Sequence, residues 1–148
     1  MAMLALDDHL CFALYSASRA MTAAYRPLLA DLGLTYPQYL VLLVLREEGR
    51  VSVGHLGERL QLDSGTLSPL LKRMEAGGIV RRERSADDER QVEVTLTATG
   101  RRKAAKAECI PEKLFPATGL TTTQAAELRE AVHTLTQTLV HTHRKEHA

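Results

Sequence analysis

At 148 residues, 45% of them apolar and 25% charged, the chain has room for one core built without disulfides or metals. Its longest apolar run, Tyr39 to Leu45, falls far short of the ~18 residues of a membrane span, and no basic region precedes an apolar stretch at the N-terminus. Neither a membrane span nor a secretory signal is expected, and a cytoplasmic location follows as the expectation. Net charge is +1 but unevenly spread: residues 72–106 carry +4 and the remainder −3, a basic middle between acidic ends that suits contact with DNA.

Asp7 and Asp8 are candidate N-caps for a first helix. Its apolar positions recur at Leu10, Leu14, Ala17, Met21, Ala24 and Leu28, which is helical spacing. Pro27 should kink this helix, and Gly33 marks its stop. Thr35-Tyr36-Pro37 reads as a cap with proline in the first turn of a second helix, about Pro37 to Glu48, apolar nearly all round and so buried. Val51-Ser52-Val53 is a short extended piece. A short helix over Val53 to Leu60 turns Leu56 and Leu60 inward. Asp63 caps a helix over Ser64 to Ala76, with Leu67, Leu70, Leu71 and Met74 as one apolar stripe. Gly77-Gly78 closes it through the left-handed conformation that glycine permits.

Ile79 to Arg84 and Gln91 to Leu96 form a half-buried hairpin around a charged tip, Ser85 to Glu89. Thr97 caps a basic helix of about Ala98 to Cys109. Pro111, Pro116 and Gly119 break the next stretch. Thr121 to about Arg144 is a final amphipathic helix bearing Leu128, Val132, Leu135 and Leu139. The pattern predicts a mainly helical fold with a small β-hairpin wing: a winged helix-turn-helix module over 35–97, with residues 1–34 and 98–148 supplying dimerisation helices, all in one domain.

Two short helices joined by a tight turn and followed by a hairpin suit DNA reading. The start of the second helix, after Asp63, carries Ser64, Gly65, Thr66 and Ser68. These small residues can approach base edges and phosphates closely. Lys72 and Arg73 follow for phosphates, and the helix N-terminus adds a favourable dipole. In the wing, Arg84 adds positive charge. Asp88 sits two residues before Arg90 and can orient it toward a narrow minor groove, which attracts arginine.

The chain has two cysteines. In a cytosolic chain they are reactive or inert thiols more often than a structural disulfide. Cys11 lies near the start of the first helix, where the dipole favours the thiolate, although Asp7 and Asp8 oppose this through like charge. Tyr15 is at i+4 on the same face, and tyrosine hydroxyls donating to sulfur stabilise a thiolate. Leu10, Phe12, Leu14 and Met21 nearby make the surroundings of this thiol apolar.

The run Leu62-Asp63-Ser64-Gly65-Thr66-Leu67-Ser68-Pro69-Leu70-Leu71-Lys72-Arg73-Met74-Glu75, followed by Asp87-Asp88-Glu89-Arg90, resembles the multiple-antibiotic-resistance (MarR) family of regulators. Leu10-Cys11-Phe12-Ala13-Leu14-Tyr15 and Leu34-Thr35-Tyr36-Pro37-Gln38-Tyr39-Leu40 narrow the resemblance to the organic-hydroperoxide-resistance regulator branch. The resemblance implies an intertwined helical homodimer that represses transcription from a palindromic DNA operator. It further implies that an organic hydroperoxide oxidises Cys11 to a sulfenic acid and so releases the DNA. Tyr25 and Tyr36 of one subunit would then support the Cys11 thiolate of the other, with Tyr15 in the same region. It calls for no catalytic residue, no metal and no cofactor.

Two-cysteine members of the branch form an intersubunit disulfide through a second cysteine a few residues after an Ile-Pro pair. Here Pro116 occupies that position, and Cys109 precedes Ile110-Pro111. Three fates stay open: Cys109 as a displaced resolving thiol, a mixed disulfide of Cys11 with a small thiol, or overoxidation of Cys11 alone. Other readings of the whole are a repressor answering a small aromatic ligand or another oxidant, a thiol peroxidase, and a metal site. Against the last, His133 is isolated, His141, His143 and His147 lie near the tail, and His9 and His55 show no partner at ligand spacing.

Overall fold

The computed structural model describes residues 4–146, with side chains described to 143, so His147 lies outside the described residues. The chain divides into two compact units, one ending at Ile110 and the other starting at Pro111.

In the first unit, a 3-10 turn over Leu6–Asp8 precedes α1 (Leu10–Ala30). The expected Asp7/Asp8 cap is corrected: both aspartates lie inside that turn, and the N-cap is His9, which makes no side-chain cap hydrogen bond. Pro27 is accommodated inside α1. The second helix, α2 (Tyr36–Glu48), opens with a full capping box. Gln38 N–H donates to Thr35 Oγ1 at 3.5 Å, and Thr35 N–H donates to Gln38 Oε1 at 3.0 Å. Burial is less complete than its composition implies: Tyr39, Val41, Leu42, Val44 and Leu45 are buried, whereas Leu43 is 40% exposed.

The chain continues through β1 (Val51–Ser52), α3 (Val53–Leu60), α4 (Ser64–Ala76), β2 (Val80–Arg84), β3 (Val92–Leu96) and α5 (Ala98–Ala107). Its sheet has three antiparallel strands rather than two, in the order β1-β3-β2. Val51 lies opposite Val94, and Val80 opposite Leu96. The two-residue β1 is too short for an alternation signal in the sequence. Leu56, Leu67, Leu71, Met74, Val80 and Val94 meet Leu29, Val41 and Leu42 in one core.

Two glycines are fixed by close approach. A Cβ on Gly57 would stand 2.9 Å from the Leu62 carbonyl oxygen, which the α3–α4 turn brings back to accept no side chain there. A Cβ on Gly100 would stand 2.2 Å from the Ile79 carbonyl oxygen, so α5 can pack against the base of the wing only without a side chain at that position. The left-handed residue expected in Gly77-Gly78 is Gly78, with φ +70°; Gly77 is the C-cap with φ −77°.

Cys109 falls outside α5, which ends at Ala107. Pro111 does not break structure as expected. It stands in the first turn of α6 (Ile110–Leu114), where a missing N–H costs nothing. A 3-10 turn over Phe115–Thr118 and Gly119 lead to α7 (Thr122–Glu146). In α7, Val132 and Leu135 are half-buried, and Leu128 and Leu139 are exposed.

Candidate DNA-reading face and thiol site

The α3–α4 pair is set by local chemistry. Ser52 caps α3 by accepting from His55 N–H at 3.1 Å. Gln61 takes the left-handed conformation, φ +55°, to reverse the chain. Asp63 Oδ1 then accepts the Thr66 N–H at 2.7 Å and opens α4. An ion-pair cluster braces α3 on α2: His55 Nε2 lies 2.5 Å from Glu48 Oε2, and Arg59 reaches both Glu48 and, at 2.6 Å, Glu47. Hydrogen bonds from Arg59 and then His55 hold the Glu48 carboxyl below the usual carboxylate range.

With the apolar stripe of α4 buried, its opposite face presents Ser64, Gly65, Thr66, Ser68, Lys72 and Arg73 to solvent. At the wing tip, the buried Ser85 Oγ accepts from the Asp87 and Asp88 N–H groups at 3.2 and 3.4 Å. Asp88 Oδ1 accepts the Arg90 N–H at 3.1 Å and lies 4.0 Å from Arg90 Nε. The Arg90 side chain is 95% exposed, and Arg84 Nη1 donates to the Glu89 carbonyl at 3.4 Å. A cleft of about 410 Å³ separates α4 from the wing, lined by Ser52, Gly54, Ser68, Arg82, Arg90 and Gln91 among others. All the sequence-selected DNA residues therefore lie on α4 and the wing. Sequence reasoning passed over Arg82, which is tied to Glu75 seven residues earlier. No helical or strand periodicity links positions on either side of a glycine turn.

Cys11 occupies the second position of α1 and is exposed. Tyr25 sits 14 residues further along the same helix, about 21 Å away at 1.5 Å rise per residue. It belongs to a tyrosine cluster. Tyr25 and Tyr36 meet edge to face with centroids 5.1 Å apart, and Tyr39 lies 5.7 Å from Tyr25 and 6.0 Å from Tyr36. Burial raises all three hydroxyl pKa values, with neighbouring Tyr36 adding to the shift at Tyr25 and both neighbours adding at Tyr39, which is pushed up to about 12. The phenols stay protonated and remain hydrogen-bond donors. Tyr15 is 59% exposed and lies under the Arg19 guanidinium, 5.5 Å from the ring centroid. Tyr39 is the member that the sequence did not single out as a support for the thiol. Cys109 is exposed, and its thiol donates to the Lys106 carbonyl at 3.6 Å. Among the described residues, no group of three or more His, Cys, Asp or Glu is placed to hold a metal, and no helix is long and apolar enough to cross a membrane.

Helix-turn-helix, wing and exposed reading face together define a winged-helix transcriptional regulator. Residues 23–107 match the family described as transcriptional regulator SarA/Rot. The organic hydroperoxide resistance transcriptional regulator of Bacillus subtilis (strain 168) is 46% identical over 134 residues, covering 90% of this chain and 91% of that one. The HTH-type transcriptional regulator TtmR of Methylorubrum extorquens (strain PA1) is 58% identical over 116 residues; the match covers 78% of this chain and spans 60% of that relative's length. Among solved structures, reduced AbfR bound to DNA is similar with TM-score 0.76 at 39% identity, covering 93% of this chain and 94% of that one. Overoxidized AbfR bound to DNA gives TM-score 0.74 at the same identity and coverage. The chain belongs to the MarR family, in its organic-hydroperoxide-resistance regulator branch.

Proposed function

We propose that this chain acts as a cytoplasmic homodimeric repressor that holds a palindromic operator until an organic hydroperoxide oxidises Cys11. On DNA, α4 enters the major groove through Ser64, Gly65, Thr66 and Ser68, with Asp63 holding its first turn. Lys72, Arg73 and Arg84 take phosphates, and Arg90, steadied by Asp88, takes the minor groove. Residues 1–34 and 98–148 form the dimer platform.

One observation carries the redox half. An exposed thiol stands at the start of α1, while the donor phenols cluster about 21 Å along the same helix. They can meet only if a second copy brings its Tyr25 and Tyr36 to this Cys11. The thiolate attacks the distal peroxide oxygen and the O–O bond breaks. Sulfur becomes a sulfenic acid, and the leaving alkoxide takes a proton and departs as the alcohol. The modified sulfur needs new partners, the platform shifts, and the two reading heads lose the spacing of half-sites one helical turn apart. Cys109 is the candidate resolving thiol: its attack on the sulfenic acid would expel water and leave a disulfide.

Intact mass under non-reducing conditions after cumene hydroperoxide treatment tests this chemistry. A covalent dimer supports Cys109 as the resolving thiol, and a chain gaining one oxygen or one added small thiol supports Cys11 acting without it. No mass change at Cys11 contradicts the proposal.

A further inference from the structure

Arg82 differs from the other wing arginines in where its charge goes. Arg81, Arg84 and Arg90 are exposed, whereas Arg82 is half-buried and lines the cleft between α4 and the wing. Its Nε and Nη2 both donate to Glu75 Oε2, at 3.0 and 2.8 Å, and its backbone N–H donates to Glu75 Oε1 at 3.1 Å. Glu75 stands in the last turn of α4, and Arg82 is the third residue of β2, directly opposite the fully buried Val94 of β3. Only Gly77, Gly78 and Ile79 join the two elements, and a glycine pair is the least rigid connection a chain can have. One carboxylate thus fixes both the backbone and the side chain of the wing's first strand to the end of the reading helix.

From this geometry we infer that Glu75 and Arg82 form a positioning pair that sets the angle between α4 and the wing. The pair thereby fixes the register between contacts in the major groove and contacts made by Arg90 in the adjacent minor groove. Arg82 acts through the wing, with its Nε and Nη2 donors already committed to Glu75 rather than to a phosphate. The inference rests on the DNA-reading function proposed above. It refines that reading: specificity for two separated parts of a site depends on a residue that contacts neither.

The test uses the full-length protein and a palindromic duplex that the wild type selects from a random pool. Three variants separate the explanations. Arg82→Lys keeps a positive charge but cannot make the two-pronged contact. Glu75→Gln keeps the Arg82 charge and the side-chain shape. Arg82→Ala removes both. The expected result is a roughly tenfold loss of affinity in each variant, with an unchanged slope of log affinity against log salt, since no phosphate contact is lost. The loss should vanish on a duplex whose outer minor-groove segments have been changed from A·T to G·C. Backbone amide exchange of β2 in the DNA-free protein should be faster in Glu75→Gln, a readout that needs no DNA. Wild-type affinity in Arg82→Lys with a shallower salt slope in Arg82→Ala would make Arg82 a phosphate contact and overturn the inference. So would unchanged β2 exchange and unchanged affinity in Glu75→Gln. If the wild type selects no sequence, the DNA reading itself fails, and any change in exchange then reports only a structural brace.

Discussion

The front half of α1 and the winged module use the same apolar alphabet to opposite ends. In the module, Leu42, Leu56, Leu67, Leu71 and Met74 are essentially removed from solvent by their own chain. On α1, Leu10 is 62% exposed and Met21 44%, although both belong to an equally regular helical stripe. The module is a finished core, whereas the stripe is apolar surface whose burial, in the proposed dimer, comes from a second copy. In the proposed account, that difference puts Cys11 at a surface that responds to assembly and the exposed face of α4 on a frame built by its own chain.

The contrast is broken or sharpened by four measurements. Leu42→Ala should have the largest effect, destabilising the chain by about 2–5 kcal/mol through lost burial and a cavity, read by chemical unfolding. Leu10→Ser should leave the module folded and weaken self-association by on the order of 1.5 kcal/mol per copy, read by sedimentation. If instead it unfolds the chain at every protein concentration, the two regions are one core and the contrast is wrong. Removing the α4 cap with Asp63→Ala should cost about 1 kcal/mol and loosen the start of the reading helix; amide exchange at Thr66 checks it.

The tyrosine cluster, at the junction of the two regions, supplies an effect confined to alkaline pH. Tyr39 is pushed up to about 12 by burial and its phenolic neighbours, against an unfolded value near 10. Its contribution to stability is complete below pH 10 and is lost as pH rises from 10 toward 12, because the unfolded chain ionises first. Tyr39→Phe should flatten that part of the stability curve; an unchanged slope would mean the hydroxyl is not buried as described.

The sequence made the module legible because its signals are local. The Thr35, Asp63 and Thr97 caps each announce a helix within four residues, and the stripe from Leu67 to Met74 fixes which face of α4 is left for DNA. Where local rules compete, the reading slipped. Asp7 and Asp8 have ideal cap chemistry, yet the chain spends them in a 3-10 turn and starts α1 from His9. Pro111 looks like a breaker but is equally suited to a first helical turn, which is where it sits. Features that join distant positions left no pattern to read: the pairing of β1 with β3, and the Glu75–Arg82 tie across Gly77-Gly78. At the thiol site, spacing along one helix already separates Cys11 from Tyr25, but the grouping of Tyr39 with Tyr25 and Tyr36 depends on how α1 packs on α2.

The central claim is that one sulfur governs DNA release. It is tested most directly by following a wild-type-selected duplex bound to the reduced protein as cumene hydroperoxide is added, with Cys11→Ser in parallel. The account predicts that the wild type lets go of the DNA and that Cys11→Ser keeps it at the same peroxide concentration. Release of the DNA by Cys11→Ser at the wild-type peroxide concentration would contradict it.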